Sequence, residues 1–153
     1  MRGNQQKSSR IISEFEERVI QIKRVSKKTK GGNKIGFTAL VVLGDRNSKI
    51  GVGYGKALNV VGAISKAVAT AKNDMTEVKV PEHTIAHQVT AKYGAAKVFL
   101  KPAPKGTGII AGGAIRTVLN LCGIKDISAK MIGSNNKICN IKATIIALKK
   151  LKG

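Results

Sequence analysis

The chain has 153 residues, 42% of them hydrophobic, and a mean hydropathy of −0.04. That is enough apolar matter for one or two compact domains and too much for a wholly disordered tail. Lysine and arginine number 28 against 8 acids, a formal charge of +20, so a folded surface repels itself unless a polyanion lies against it, and RNA or DNA is the leading partner. No apolar run reaches the ~18 residues that span a bilayer, and residues 1–10 are polar without a signal-peptide core, so a soluble protein not secreted by that route is expected.

Residues 1–13 carry Arg2, Lys7 and Arg10 among Gln, Ser and Gly and are expected to form a basic disordered arm. Val19, Ile20, Ile22 and Val25, interleaved with Gln21 and Lys23, predict a first strand. Ser26 to Lys34 combines turn residues with four lysines and reads as the exposed connection to a second strand, Ile35 to Leu43. From Arg18 to Lys34 there are seven basic residues and no acid, so this connection is a charged hairpin tip. Gly44 to Ser48 is a second turn cluster, and Lys49 to Tyr54 a third strand. Val60, Ile64, Val68, Ala71 and Met75 then recur at helical spacing, with Lys66, Thr70 and Asn73 on another face, predicting an amphipathic helix of about four turns. The order is β-β-β-α.

Val80-Pro81-Glu82 resets the chain and places a domain boundary near 77–82, dividing a 14–78 domain from an 82–153 domain. The second half predicts a hairpin, Thr84 to Ala91 with Val98 to Lys101, turning at Tyr93-Gly94. A Pro/Gly-rich loop, Lys101 to Gly108, follows. Ile115, Val118, Leu119 and Cys122 form one face of a helix that stops at Gly123. Ile124 to Met131 reads as a strand, and Gly133-Ser134-Asn135-Asn136 caps a last helix with Ile138, Ile141, Ile145 and Leu148 on its apolar face. After His83 the only acid is Asp126.

Several motifs invite chemistry and fall short of it. Gly51-Val52-Gly53-Tyr54-Gly55-Lys56 resembles a phosphate loop, but a Walker loop requires glycine where Ile50 stands and Ser or Thr where Ala57 stands. A strand whose missing side chains admit another backbone is the preferred reading. Gly106 to Gly113 approaches GxGxxG, with Ala111 in the place of the third glycine; with Lys105 nearby it can receive an RNA phosphate at the helix N-terminus, or its glycines can permit tight packing against a partner. His83 and His87 lack the Glu of HExxH and read as surface or packing residues. Cys122 and Cys139 match neither a disulfide framework nor a zinc pair, so reduced structural thiols are expected. No catalytic constellation, metal site or cofactor is expected. Only Phe15, Phe37, Tyr54, Tyr93 and Phe99 are aromatic, which favours recognition of RNA by shape and backbone over stacking on an aromatic sheet; Phe37 and Phe99 are assigned to the core.

FEERVIQIKRVSKKTKGGNK (15–34), FTALVVLGD (37–45), GVGYGKA (51–57), KPAPKGTGIIAGGAIR (101–116) and GSNN (133–136) resemble the bacterial-type small-subunit ribosomal protein S-five family over about 15–151. The resemblance implies an α+β protein: an N-terminal domain like the double-stranded-RNA-binding fold, then a C-terminal α/β domain of the S-five domain 2-like type. It implies that both domains pack on small-subunit ribosomal RNA, near the proteins S-four and S-eight, and help line the channel through which messenger RNA enters. It identifies the tip, Arg24, Val25, Ser26 and Lys27, with the spectinomycin-associated loop. It puts Gly108 and Arg116 at or near the S-four contact, where family members influence decoding accuracy, and so tilts the glycine loop toward a protein partner. Val61-Gly62, Ala96 and Lys137 depart from the family pattern, the first at a helix start that proline usually opens.

The expected RNA-binding residues are Arg24, Val25, Ser26, Lys27, Lys28, Lys30, Lys34, Lys49, Lys56 and Lys105. The expected function is a structural constituent of the small ribosomal subunit, not an enzyme. A free-standing double-stranded-RNA-binding regulator is the alternative, and a nucleotide-dependent enzyme using the glycine loops a third reading. Lysine exceeds arginine 22 to 6, which suggests an AT-rich genome and a ribosome in bacterial cytoplasm or plastid stroma.

Overall fold

In the computed structural model, which describes residues 15–47, 49–78 and 83–151, the first half is an antiparallel sheet covered by one helix. The strands are β1 (Glu16–Thr29), β2 (Gly32–Gly44), β3 (Lys49–Ala57) and β4 (Thr76–Glu77), paired in that order, with α1 (Val60–Asn73) between β3 and β4. The expected arm at 1–13 lies outside the described residues.

Here β1 and β2 are longer than composition suggested. The segment Ser26 to Lys34, expected as a connection, is ladder: Ser26 pairs Ile35, Lys27 pairs Lys34, Lys28 pairs Asn33 and Thr29 pairs Gly32. The turn is only Lys30-Gly31. Turn-forming side chains did not break the strands because an antiparallel ladder is held by backbone groups, and lysines alternating on a two-stranded ribbon stay in water. Thr29 Oγ1 closes the end by donating to the Gly32 carbonyl at 2.8 Å.

The third strand also runs on, through Gly55 to Ala57, and its glycines decide how α1 packs. The buried face of α1 is Ala63, Ala67 and Ala71; Ile64 and Val68 only flank it, and Met75 lies beyond the C-cap Asp74. The predicted stripe was therefore displaced toward the larger residues. A Cβ on Gly53 would overlap the Ala67 carbonyl, and one on Gly51 or Gly55 would meet the Ala71 or Ala63 carbonyl. With no side chain on β3 and only methyls on α1, helix and strand backbones come into contact. At the helix start Asn59 accepts from the Gly62 amide at 2.7 Å, so the departure from proline at Val61-Gly62 still leaves a capped helix.

The second half has β5 (Val89–Tyr93), β6 (Ala96–Pro102), β7 (Ile109–Ile110), α2 (Gly113–Leu121), β8 (Ile127–Ile132) and α3 (Lys137–Lys149), in the sheet order β5-β6-β8-β7. Residues 84–88, expected in a strand, are bends and irregular chain. The two-residue β7 was not foreseen; it pairs parallel to β8 across α2. As expected, α2 ends at Gly123, with φ +89, and Asn136 caps α3 by accepting from the Ile138 amide. On α3, Ile141 and Leu148 are buried, whereas Ile138 and Ile145 are half-buried beside a buried polar pair, Asn140 and Thr144.

The halves share a core. Leu40, Val42 and Ile50 from the first sheet lie in one buried cluster with Val118, Leu121 and Ile141. The β2–β3 turn is bound to the end of α2, the Arg46 amide donating to the Leu121 carbonyl at 2.9 Å. Phe37 and Phe99, assigned to the core, are both half-buried: Phe37 packs against the α1 cluster, while strand alternation puts Phe99 on the face opposite buried Val98 and Leu100.

Replacing Gly53 with Ala should destabilise the fold by about 1–3 kcal/mol through overpacking against Ala67, whereas Gly31→Ala, whose Cβ meets nothing within 4 Å, should change stability little. Urea unfolding of the two variants measures the difference.

Candidate nucleic-acid interface

The β1–β2 ribbon extends past α1 and carries Lys23, Arg24, Lys27, Lys28, Lys30 and Lys34, six cations without an acid between them. Residues paired across an antiparallel ladder share a face, so Lys23, Val25, Lys27 and Lys34 lie on one side of the ribbon and Arg24, Ser26 and Lys28 on the other. Lys56 pairs with Thr38, which pairs with Lys23, and joins the first side. Lys27 stands directly opposite Lys34, a like-charge pair that destabilises a bare sheet and that an anion relieves.

At the root of the ribbon a cleft of about 340 Å³ is lined by Lys27, Lys34, Lys56 and Lys66 together with Val25 and Leu58. Lys66, on α1, donates its Nζ to the Lys56 carbonyl at 3.3 Å. Leu58 and Val61 at the helix start are 69% and 75% exposed. Lys66 and Leu58 were not among the expected site residues. Helical spacing placed Lys66 on a polar face, and only the β3–α1 packing brings that face beside the ribbon.

The remaining expected residues do not join this cleft. Lys49 opens β3, seven residues from Lys56, ~23 Å along an extended strand, and faces Glu77 across the ladder. Lys105 is exposed in the turn after β6, and Arg116 is exposed on α2. Three of the six described acids, Glu16, Asp45 and Asp126, are occupied elsewhere. Glu16 bridges Arg46 at 2.7 Å and Arg18 at 3.0 Å, contacts that hold its carboxyl below the usual carboxylate range, Arg46 foremost. Asp45 accepts from the Asn47 and Lys49 amides and shapes the β2–β3 turn. Among the described residues no salt bridge reaches the projecting part of the ribbon, Lys23 to Lys34.

The glycine loop is built around Asp126, 5% exposed. One carboxylate oxygen accepts from the Gly108 amide at 2.9 Å and the Gly106 amide at 3.2 Å, and the other accepts from His83 Nδ1 at 2.9 Å. Main-chain bonds add to this, from the Lys125 and Asp126 amides to the His83 carbonyl and from Ile127 to the Gly108 carbonyl. Two amides that a phosphate would use therefore already serve an internal carboxylate. The phosphate-loop reading of 51–56 fails on different grounds, because its glycines are filled by α1. Both loops thus lack what a nucleotide-dependent enzyme would need of them. His83 and His87 do not converge: His87 Nδ1 lies 2.9 Å from the Gln88 carbonyl. Cys122 is buried and its thiol is pushed up to about 12, chiefly by burial, which keeps it protonated and inert.

An α+β chain that presents a basic stretch free of acids from Arg18 to Lys34, and uses Glu16, Asp45 and Asp126 in its own turns and junctions, has the character of a nucleic-acid-binding structural protein. Residues 15–79 match the family description "Ribosomal protein S5, N-terminal domain", and residues 91–153 match "Ribosomal protein S5, C-terminal domain". A relative from Campylobacter jejuni named "Small ribosomal subunit protein uS5" is 53% identical over 140 residues, 92% of this chain and 95% of the relative. One of the same name from a Picosynechococcus is 47% identical over 152 residues, 99% of this chain and 88% of the relative. The one from Malacoplasma penetrans is 47% identical over 142 residues, 92% of this chain and 61% of the relative. The chain belongs to the ribosomal protein S5 family, whose members are structural, non-enzymatic proteins of the ribosome.

Asp126 titrates below the ordinary aspartate value, the Gly108 amide being the largest cause, with His83 and Gly106 adding to it against desolvation. A depressed folded value gives stability that is present above the unfolded pKa of about 4 and is lost as pH falls through the folded value. The wild type should therefore lose stability below about pH 4 more steeply than Asp126→Asn, which should be less stable at pH 7; urea midpoints from pH 2.5 to 7 test this.

Proposed function

We propose that the chain is a structural constituent of the small ribosomal subunit that binds its RNA chiefly through the ribbon. The single observation that carries this reading is the acid-free ribbon and root cleft, with Lys27, Lys34, Lys56 and Lys66 converging on a space that can admit a phosphate backbone. Each lysine at a phosphate releases counterions and adds to the salt dependence of binding. Residues 14–78 and 82–153 act as two domains fused through a shared core, so the ribbon projects from a base that does not hinge freely.

The loop through Gly108 and the exposed Arg116 faces a neighbouring protein in this reading, S-four in the family pattern, with S-eight as a second neighbour. Asp126 supports it: the carboxylate that occupies the Gly106 and Gly108 amides fixes the shape of the loop and leaves it unsuited to a phosphate. A position beside S-four makes the loop an element of translational accuracy, and the ribbon an element of the channel by which messenger RNA enters. The setting is bacterial cytoplasm or plastid stroma, in keeping with bacterial and cyanobacterial relatives.

Lys27→Ala combined with Lys28→Ala should lower the slope of log K against log salt for small-subunit RNA by about one to two units, and Lys49→Ala should leave it unchanged. Fluorescence anisotropy over a salt series reads both. In a sucrose gradient the tagged chain should travel with small subunits; a chain that stays at the top while subunits sediment without it is a free RNA-binding regulator instead.

A further inference from the structure

The second sheet has one face covered by α2 and α3 and one that no described element covers. Val89, Ala91, Ala96, Val98 and Leu100 point into the core. The opposite face is organised by the ladder into three transverse rows. Lys101 lies beside Ser128, which pairs with Ile110; Phe99 lies between Thr90 and Lys130; and Lys97 lies between Lys92 and Ile132. Phe99 is the centre, half-buried, with Ile110 and Ile132 at 56% and 48% exposure on the β7–β8 side. The four lysines are exposed, and no acid stands on the face.

This arrangement is unfavourable in water alone. Lys92 and Lys97 are directly opposed, and like charges so placed destabilise a sheet. Two isoleucines are left exposed beside them, and the Phe99 ring partly so. A partner that relieves both must bring negative charge and flat apolar surface together. Single-stranded RNA does this, with phosphates for the lysines and unpaired bases for the ring and the isoleucines. A duplex turns its phosphates outward and keeps its bases stacked inside, so it suits the projecting ribbon and not this sheet.

We infer that the open face of β5-β6-β8-β7 is a second RNA-binding surface, which takes an unpaired strand with one base against Phe99 and its phosphates at Lys92, Lys97, Lys101 and Lys130. The inference rests on the reading of the chain as an RNA binder but uses none of the ribbon residues. Rows in a sheet are ~6.6 Å apart along a strand and neighbouring strands ~4.8 Å apart, so the lysines surround Phe99 within the reach of a few nucleotides.

The test uses the full chain, a labelled twelve-residue oligouridylate and intact small-subunit RNA. Replacing all four lysines by Ala should lower the salt slope for oligouridylate by about three units, near 0.7 for each phosphate contact on a single strand. Phe99→Leu should weaken oligouridylate binding about tenfold and leave the slope unaltered. Thermal unfolding confirms that each variant is folded, and the pair Lys97→Gln with Lys130→Gln, expected to lower the slope by about one and a half units, replaces the fourfold variant if that one is not. Face variants that bind like the wild type, while the Lys27/Lys28 variant loses slope on small-subunit RNA, overturn this inference and leave the proposed function standing. If neither set alters binding, the RNA reading itself falls. A reduced slope with Phe99→Leu unaffected overturns the single-strand assignment, and face variants that bind RNA normally yet drop out of subunits mean that the face meets an acidic protein.

Discussion

The contact on which the rest of the structure depends is the meeting of two backbones, β3 at Gly51, Gly53 and Gly55 with α1 at Ala63, Ala67 and Ala71. Ordinary helices stand off a sheet by the length of two side chains; here one layer is absent and the other is methyl groups. Beside this seam Val41 and Leu43 fill the space under α1, while Leu40, Val42 and Ile50, of the opposite parity, serve the other face. That face joins the second half. The same contact sets α1 beside the root of the ribbon and so brings Lys66 to Lys56.

Charge is the second constraint. With 28 cations and 8 acids, a fold that paired acids with bases at random would leave every surface weakly basic. Instead three of the six described acids serve turns and junctions: Asp45 in the β2–β3 turn, Glu16 against Arg46, Asp126 under the glycine loop. Their work is to order backbone and fix turns. The ribbon and the open second sheet are consequently left as nearly pure positive faces, where opposed lysines store repulsion that a polyanion removes. The division also sets the glycine loop apart from the ribbon: the amides that would attract phosphate in the loop are already occupied.

Much of this was legible along the chain. Alternation, helical spacing and turn residues predicted β-β-β-α and then a mixed second half, and the caps at Gly123 and Asn136 fell where those residue types stop or start helices. The misses have particular causes. Ser26 to Lys34 looked like a loop because its composition is turn-like, yet ladder bonds are made by backbone. The face of α1 was assigned to Ile64 and Val68 because size usually marks a core, whereas the glycine strand demanded small residues. Phe99 was placed in the core by its chemistry, although its parity with Val98 and Leu100 put it on the other side. The short β7 has too little pattern to see.

By itself the sequence determined the partner class, through an excess of positive charge confined to acid-free stretches, and the family, through long ordered motifs. It also determined that Gly51 to Gly55 needed an unusual neighbour. Only the tertiary structure decided which lysines lie together, because Lys27, Lys34, Lys56 and Lys66 come from four elements and converge through strand register and helix packing, while Lys49 is carried to the far end of its strand. It alone decided the meaning of the glycine loop, since the fate of the Gly106 and Gly108 amides depends on Asp126, eighteen or more residues further along the chain. Local composition states what a residue can bind; which groups are already bound is a property of the fold.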